Sequence, residues 1–214
     1  MNKAVFFDLD GTLIDSVHDI KDCINVMLKK FSHSERSVED VCQFVGNGAR
    51  KLVERSVGVE LSKEQIDERL AFYNEYYTAC GSPKTRLFDG IREMLLCLKE
   101  RGYKIAIRTN KPQITTDEVI KTYFEGIEFD MVVGQSATVA CKPDKTATLD
   151  MLDKLQVLPE NAYFVGDGEA DVLSAINAGM HGIAVLWGYR SKEQLQSVGA
   201  TVFAKNPQEL LQLI

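Results

Sequence analysis

No window of the 214-residue sequence approaches the ~18 consecutive apolar residues that a membrane-spanning helix requires. Cations are in deficit too: 25 lysines and arginines face 31 aspartates and glutamates, for a net charge of −6. A nucleic-acid surface needs clustered Lys and Arg to displace counterions, so that class is excluded, and an anionic membrane is an equally poor partner. A small anionic ligand stays compatible, provided a few cations focus the field inside a cleft. The five cysteines, Cys23, Cys42, Cys80, Cys97 and Cys141, are odd in number and form no C-x-x-C pair. They read as reduced thiols rather than a disulfide framework or a zinc site. His18, His33 and His181 have no ligand spacing and are expected to pack or to face solvent. Internal repeats and low-complexity tracts are missing. Lys3 is followed by a short apolar stretch that meets Asp8 at once, which is not the design of a signal peptide. The expectation is a cytoplasmic globular protein.

What is present is an ordinary core-forming composition, 45% hydrophobic and 26% charged, on a chain long enough for one domain and a smaller insert. Ala4–Phe7 is an apolar run that ends in carboxylates and Gly11, as a buried strand opening into a loop would. The next comparable strand is Lys104–Thr109. Between them the pattern is helical: Ser16–Lys30 places Val17, Ile20, Ile24, Met27 and Leu28 on one face, Ala49–Val57 carries Leu52 and Val53, and Ser62 caps a helix from Lys63 to about Ala79 with Gln65 completing a capping box. Gly81-Ser82-Pro83 closes the block. Residues 16–83 are therefore expected to form an inserted helical cap domain, and residues 1–15 with 84–214 the core domain.

From Leu87 onward the period alternates. Helix Ile91–Arg101, strand Lys104–Thr109, helix Ile114–Phe124, strand Met131–Gly134, helix Thr146–Leu155 and strand Ala162–Val165 are followed by helix Glu169–Ala178, strand His181–Leu186, a short strand Thr201–Phe203 and a helix from Pro207. Such alternation predicts an α/β fold with a doubly wound, mostly parallel, Rossmann-like sheet covered on both faces. Ligands of such sheets bind beyond the carboxyl ends of the strands. Those ends deliver Asp8 and Asp10, then Thr109, Asn110 and Lys111, then a loop reaching Lys142, then Gly166, Asp167, Gly168 and Asp171.

Three acids on one rim repel one another unless a cation sits among them, and carboxylates with water and phosphate oxygens suit Mg²⁺. Phosphoryl transfer needs that cation, an in-line nucleophile and a general acid for the leaving oxygen. A carboxylate nucleophile splits the hydrolysis into two easier steps through an acyl phosphate. Lys142 supplies positive charge, and Thr109 and backbone N–H groups can bond the phosphoryl oxygens.

In order along the chain, Asp8-Leu9-Asp10-Gly11-Thr12, Thr109-Asn110-Lys111, Lys142-Pro143 and Gly166-Asp167 with Asp171 resemble the four motifs of the haloacid dehalogenase superfamily. The resemblance implies Asp8 as nucleophile and metal ligand, and Asp10 as general acid and base that also offers its backbone carbonyl to the metal. Thr109 would bind the phosphoryl group, Lys142 would orient the nucleophile, and Asp167 and Asp171 would complete a Mg²⁺ site. Val45-Gly46-Asn47-Gly48-Ala49 and Phe88-Asp89-Gly90-Ile91 further resemble phosphoglycolate phosphatases and their relatives, so a small phosphorylated metabolite, 2-phosphoglycolate first, is the expected substrate.

Other readings compete. A dehalogenase lacks the second acid of the first motif and a phosphonate hydrolase has a small residue there, so Asp10 argues against both. A phosphosugar mutase, a pyrophosphatase or nucleotidase, and a catalytically silent binding protein on the same scaffold stay open. Gly46-Asn47-Gly48 precedes a helix and can cradle an anion, with Asn110 and Arg50 reaching the substrate, or be a tight turn beside a solvated Arg50. Asp171 sits where a helix N-terminus favours a carboxylate regardless of catalysis. Arg108 either enters the cleft or snorkels outward, Cys141 places a thiol beside Lys142, and Trp187 and Tyr189 are expected to pack. Gly168 stands where many relatives carry a hydroxyl.

Overall fold

Alternation along β1 (Lys3–Phe7) decides the layers: Val5 and Phe7 join one apolar cluster, Ala4 and Phe6 another, and all four side chains are fully buried. A strand apolar on both faces needs cover on both sides. The computed structural model, which describes residues 2–214, places β1 inside a six-stranded sheet. Its neighbours are β4 (Tyr103–Pro112) and β6 (Ala162–Gly166); β5 (Met131–Gln135) lies outside β4, and β7 (His181–Val185) and then β8 (Phe203–Ala204) lie outside β6. Every pairing in this sheet is parallel. Helices α5 (Ile91–Glu100), α6 (Gln113–Tyr123) and α10 (Pro207–Leu213) cover the Val5 and Phe7 face, while α7 (Thr146–Leu155) and α8 (Glu169–Ala178) cover the other. The chain runs outward from β1 through β4 to β5, then crosses back to β6 on the opposite side. That reversal makes the carboxyl end of β1 the switch point where such sheets hold ligands.

Two short strands, β2 (Ile14–Asp15) and β3 (Arg86–Leu87), pair antiparallel where the chain leaves and rejoins this core. Between them lie α1 (Val17–Lys30), α2 (Val38–Phe44), α3 (Ala49–Val57) and α4 (Lys63–Cys80), packed around an apolar cluster of their own that includes Ile24, Met27, Leu28, Val41, Val53 and Tyr73. Ser37 with Asp40 and Ser62 with Gln65 close capping boxes at α2 and α4. Buried Asp19 of α1 accepts from the Lys84 backbone N–H (3.0 Å) and the Thr85 hydroxyl (2.7 Å), pinning the returning segment.

The α/β sandwich is as the periodicity predicts, and α3, α7 and α8 begin and end at the expected residues. Differences are local. β4 runs past Thr109 to Pro112 because Pro112 still pairs with Gln135 after a register shift, and the last strand is Phe203–Ala204 rather than 201–203. Helix α2 and a short helix, α9 (Lys192–Ser197), had no sequence counterpart; α2 buries only Val41 and α9 only Leu195, too few apolar positions to show a period. Among the described residues no helix is long and apolar enough to cross a membrane.

Candidate active site

The Asp8 backbone N–H donates to Val165 O (2.9 Å), so the chain is still held to β6 as it turns away from the sheet. Gly11 takes φ +85° there, and a Cβ at that position would collide with the Asp167 carboxylate, so only glycine permits the turn to pass this close. Thr12 Oγ1 (3.0 Å) and the Tyr189 backbone N–H (2.8 Å) both donate to Asp167. Asp171, in the first turn of α8, accepts from the Gly168 N–H at 2.9 Å and from Lys142 Nζ at 2.6 Å. The same Nζ stands 2.8 Å from Asp8 Oδ1. Asp8, Asp167 and Asp171 are each buried and offer ligand oxygens that all lie within 4.8 Å of one another.

One ammonium facing three buried carboxylates leaves the cluster short of positive charge. Burial, then the charges of Asp171 and Asp8, pushes the Asp167 carboxyl up to about 7; burial and Asp8 push Asp171 to about 6, with Lys142 opposing. Burial pulls the Lys142 ammonium down, but Asp171 and Asp8 outweigh it and hold it above the ordinary lysine value. Asp8 Oδ1 is buried and makes no aligned hydrogen bond despite its ion-pair contact with Lys142. An all-oxygen anionic donor set with an unsatisfied lone pair fits a hard divalent cation.

Asp10 faces elsewhere. Its carboxylate accepts from Ser16 Oγ at 2.6 Å and from Lys111 Nζ at 3.0 and 3.3 Å. Lys111 is buried, and its Nζ also donates to the Tyr77 hydroxyl of α4 at 2.8 Å. A cavity of about 200 Å³ opens over this group, lined on the sheet side by Asp8, Asp10, Thr109 and Lys111 and on the helical side by Gly46, Gly48, Leu52, Tyr73, Asn74 and Tyr77. Such a half-open cavity shelters a reacting group on the sheet and helix sides and leaves room for a small ester.

A family described as haloacid dehalogenase-like hydrolase matches residues 5–185, from β1 to the end of β7. The chain belongs to this family. Among curated relatives of this hydrolase, phosphoglycolate phosphatase 1 of Pseudomonas aeruginosa is 34% identical, covering 98% of the chain and 78% of the relative. The phosphoglycolate phosphatase of Psychrobacter arcticus is 32% identical over 93% of the chain and 90% of its own length. A crystal structure from Lactobacillus delbrueckii subsp. bulgaricus superposes with a TM-score of 0.92 at 28% identity, covering 100% of the hydrolase and 99% of that chain. A haloacid dehalogenase-like hydrolase of Streptococcus pneumoniae gives 0.88 at 29% identity, covering 99% and 98%.

Set against the sequence expectations, the hydrolase brings Asp8, Asp10, Thr109, Lys142, Asp167 and Asp171 to one end of the sheet. Gly46, Gly48 and Asn110 also line the cavity, but Asn47 and Arg50 do not. The expected reach of Arg50 into the cleft is corrected: its guanidinium is paired with Asp67 of α4 and borders a separate surface depression with Glu54 and Lys63. Asn110 spends its side chain on the scaffold instead of presenting it freely. Its Oδ1 accepts from the Lys142 N–H (2.6 Å), and its Nδ2 donates to Gly46 O (2.8 Å) and Lys142 O (3.2 Å). Arg108 is fully buried and donates to Thr109 O (3.0 Å) and Ala140 O (2.6 Å), bracing the loop that carries Lys142. Trp187 packs on the core and donates to Thr12 O at 2.9 Å.

The sequence assigned no role to two further residues, Lys111 and Arg190. Lys111 was visible beside Thr109-Asn110 but had no assigned partner, because Tyr77 comes from a segment 34 positions away. Arg190 pairs with Glu169 (2.9 Å) and also donates to the carbonyls of Cys42, Gln43 and Val45 at the end of α2, tying that helix to the core. Nothing in the local sequence marks it.

Proposed function

We propose that the protein is a divalent-cation-dependent phosphatase in which Asp8 is the nucleophile, with Mg²⁺ as the cation and a small phosphomonoester as substrate. The chain is an enzyme of the hydrolase family just described, and its curated relatives are phosphatases. The observation that carries the assignment of Asp8 is its place: a buried carboxylate at the switch point, in contact with Lys142, clustered with Asp167 and Asp171, and facing the cavity. Asp8, Asp167 and Asp171, with the Asp10 backbone carbonyl, would hold Mg²⁺. Bound there, the cation would neutralise charge on the transferring phosphoryl oxygens.

The residues divide the remaining labour. Asp8 attacks phosphorus and forms an acyl phosphate, while Lys142 keeps the carboxylate oriented and offsets its charge. Asp10 gives a proton to the departing ester oxygen and takes one back from the water that hydrolyses the acyl phosphate. Ser16 and Lys111 hold its carboxylate over the cavity. The Thr109 hydroxyl, which accepts from the Lys111 N–H at 3.2 Å, lies at the strand end where a phosphoryl oxygen would be received. Helices α1 to α4 act as a cap whose wall meets the leaving group and excludes water.

Among substrates, 2-phosphoglycolate leads. Relatives covering nearly the whole chain carry that name, the cavity suits a molecule of that size, and Lys111 is a cation in its wall that a leaving-group carboxylate would meet. The test is release of phosphate with and without Mg²⁺ across 2-phosphoglycolate, hexose phosphates, nucleoside monophosphates, pyrophosphate and a generic aryl phosphate, ranked by kcat/KM. The highest kcat/KM is expected for 2-phosphoglycolate. A hexose phosphate or nucleotide ranking first would reject that substrate, and no release from any of them would reject the phosphatase.

A further inference from the structure

The sequence gives no reason to pair any of the five cysteines, yet two of them meet. Cys23 Sγ of α1 and Cys80 Sγ of α4 lie 3.2 Å apart, although 57 positions separate them. Neither is bonded to the other, and Cys42, Cys97 and Cys141 are likewise free. Among the described residues no other thiols are in contact. We infer that Cys23 and Cys80 are an oxidative modification site, a dithiol that a hydroperoxide closes to an intramolecular disulfide, and that the closure alters the cap wall of the substrate cavity.

Access and location both support this assignment. Cys23 is buried at 2% exposure, whereas Cys80, at the last position of α4, is part-exposed, so an oxidant in solution reaches Cys80 first. Burial, with the neighbouring Cys80 thiol adding to it, raises the Cys23 thiol above its ordinary value, which disfavours Cys23 as the sulfur oxidised first. The Cys80 thiolate attacks the peroxide O–O bond, which breaks; the sulfur is oxidised to sulfenic acid and the departing hydroxide takes a proton to become water. Cys23 sulfur then attacks the Cys80 sulfur, the S–O bond breaks, and the second water leaves with the Cys23 proton. Two thiols and one hydrogen peroxide thus give one disulfide and two waters, with the peroxide taking both electrons.

The link to the cavity is short. Cys80 Sγ donates to the Tyr77 carbonyl at 3.2 Å, one turn back along α4, and the Tyr77 hydroxyl is the group that holds Lys111 against Asp10. On α1, Ile20 lies three residues before Cys23 and lines the same cavity. Bond formation removes the thiol donor from Tyr77 O and fastens α1 to the final turn of α4, beside the segment by which the helices return to the core.

The test treats the full chain with hydrogen peroxide, alkylates remaining thiols and maps the peptides. The expected product is a Cys23–Cys80 cross-link about 2 Da lighter than the dithiol, reversed by dithiothreitol, with Cys42, Cys97 and Cys141 still alkylated. Cys23→Ser and Cys80→Ser, two variants that preserve size, should each abolish the mass loss. A Cys80 that proceeds to sulfinic acid while Cys23 stays open to alkylation would overturn the site, as would a disulfide to any other cysteine. For the cavity, KM for an aryl phosphate should shift by about threefold or more on oxidation and not in Cys80→Ser. An unchanged KM in fully cross-linked protein would overturn the coupling. The mass readout is independent of substrate, so it stands or falls apart from the phosphatase assignment.

Discussion

Asp8 carries two burdens, as a carboxylate aimed into the cavity and as a counter-charge to Lys142. Asp8→Asn keeps the shape and removes the proposed nucleophile, so kcat should fall by about a thousandfold or more while the thermal midpoint stays within a few degrees. Steady-state kinetics beside a thermal melt check both; retained turnover would sink the covalent step. Asn110 is the opposite case. Its carboxamide makes three hydrogen bonds, two to the Lys142 backbone and one to Gly46 O, and none is replaced in Asn110→Ala. Loss of that brace should cost about 1–3 kcal/mol of stability and roughly tenfold in kcat, since Lys142 would be displaced from Asp8. Arg50→Ala, by contrast, breaks only a pair with Asp67 in which both side chains are more than two-fifths exposed. Its kcat/KM should stay within about twofold of the parent, because exposed pairs contribute little and the guanidinium does not line the cavity.

At the scale of elements, the core strands were legible because a strand covered on both faces is a continuous apolar run, and β1 is such a run ending in the acids it presents. Helices α3, α7 and α8 were legible from periodicity, and α4 from its capping box as well. Ser37 with Asp40 offered the same kind of signal for α2, but a seven-residue helix with one buried side chain gives the eye no stripe to follow. Asp8 and Asp167 were readable since each directly follows a core strand, and Asp10, Lys142 and Asp171 since they lie in the loops and first helical turn beyond those strand ends. Contacts such as Lys111 to Tyr77 were not, because they join the sheet to helices whose docking depends on Arg190 and on packing, neither of which leaves a local pattern. Caps give a check on the helical segment alone: Ser62→Ala removes the acceptor for the Gln65 N–H and should lower stability by about 1 kcal/mol in a denaturant titration, with kcat unchanged.

For the molecule as a whole, the acid cluster couples stability to pH. Asp167 and Asp171 are held at about 7 and about 6, against an unfolded value near 3.9. The folded, metal-free chain therefore binds protons that the unfolded chain has released. Its stability from these groups is intact below about pH 4 and lost as pH climbs towards 7. A divalent cation that takes the place of those protons should stabilise more at pH 8 than at pH 5. Melts with Mg²⁺ and with EDTA at both pH values read this directly, and an equal or larger gain at pH 5 would contradict it. Another property of the whole follows from the two-residue strands β2 and β3. Because they bring the exit and the return of the chain side by side, the sheet experiences the 70 residues between Asp15 and Arg86 as though they were a short loop. Ile14 opposite Leu87 and Asp15 opposite Arg86 are the two register pairs that close that opening. Helices α1 to α4 thus enter and leave the core through one narrow doorway, and what fastens their far side to the sheet is left to side chains such as Tyr77 on Lys111 and Arg190 on the Val45 carbonyl.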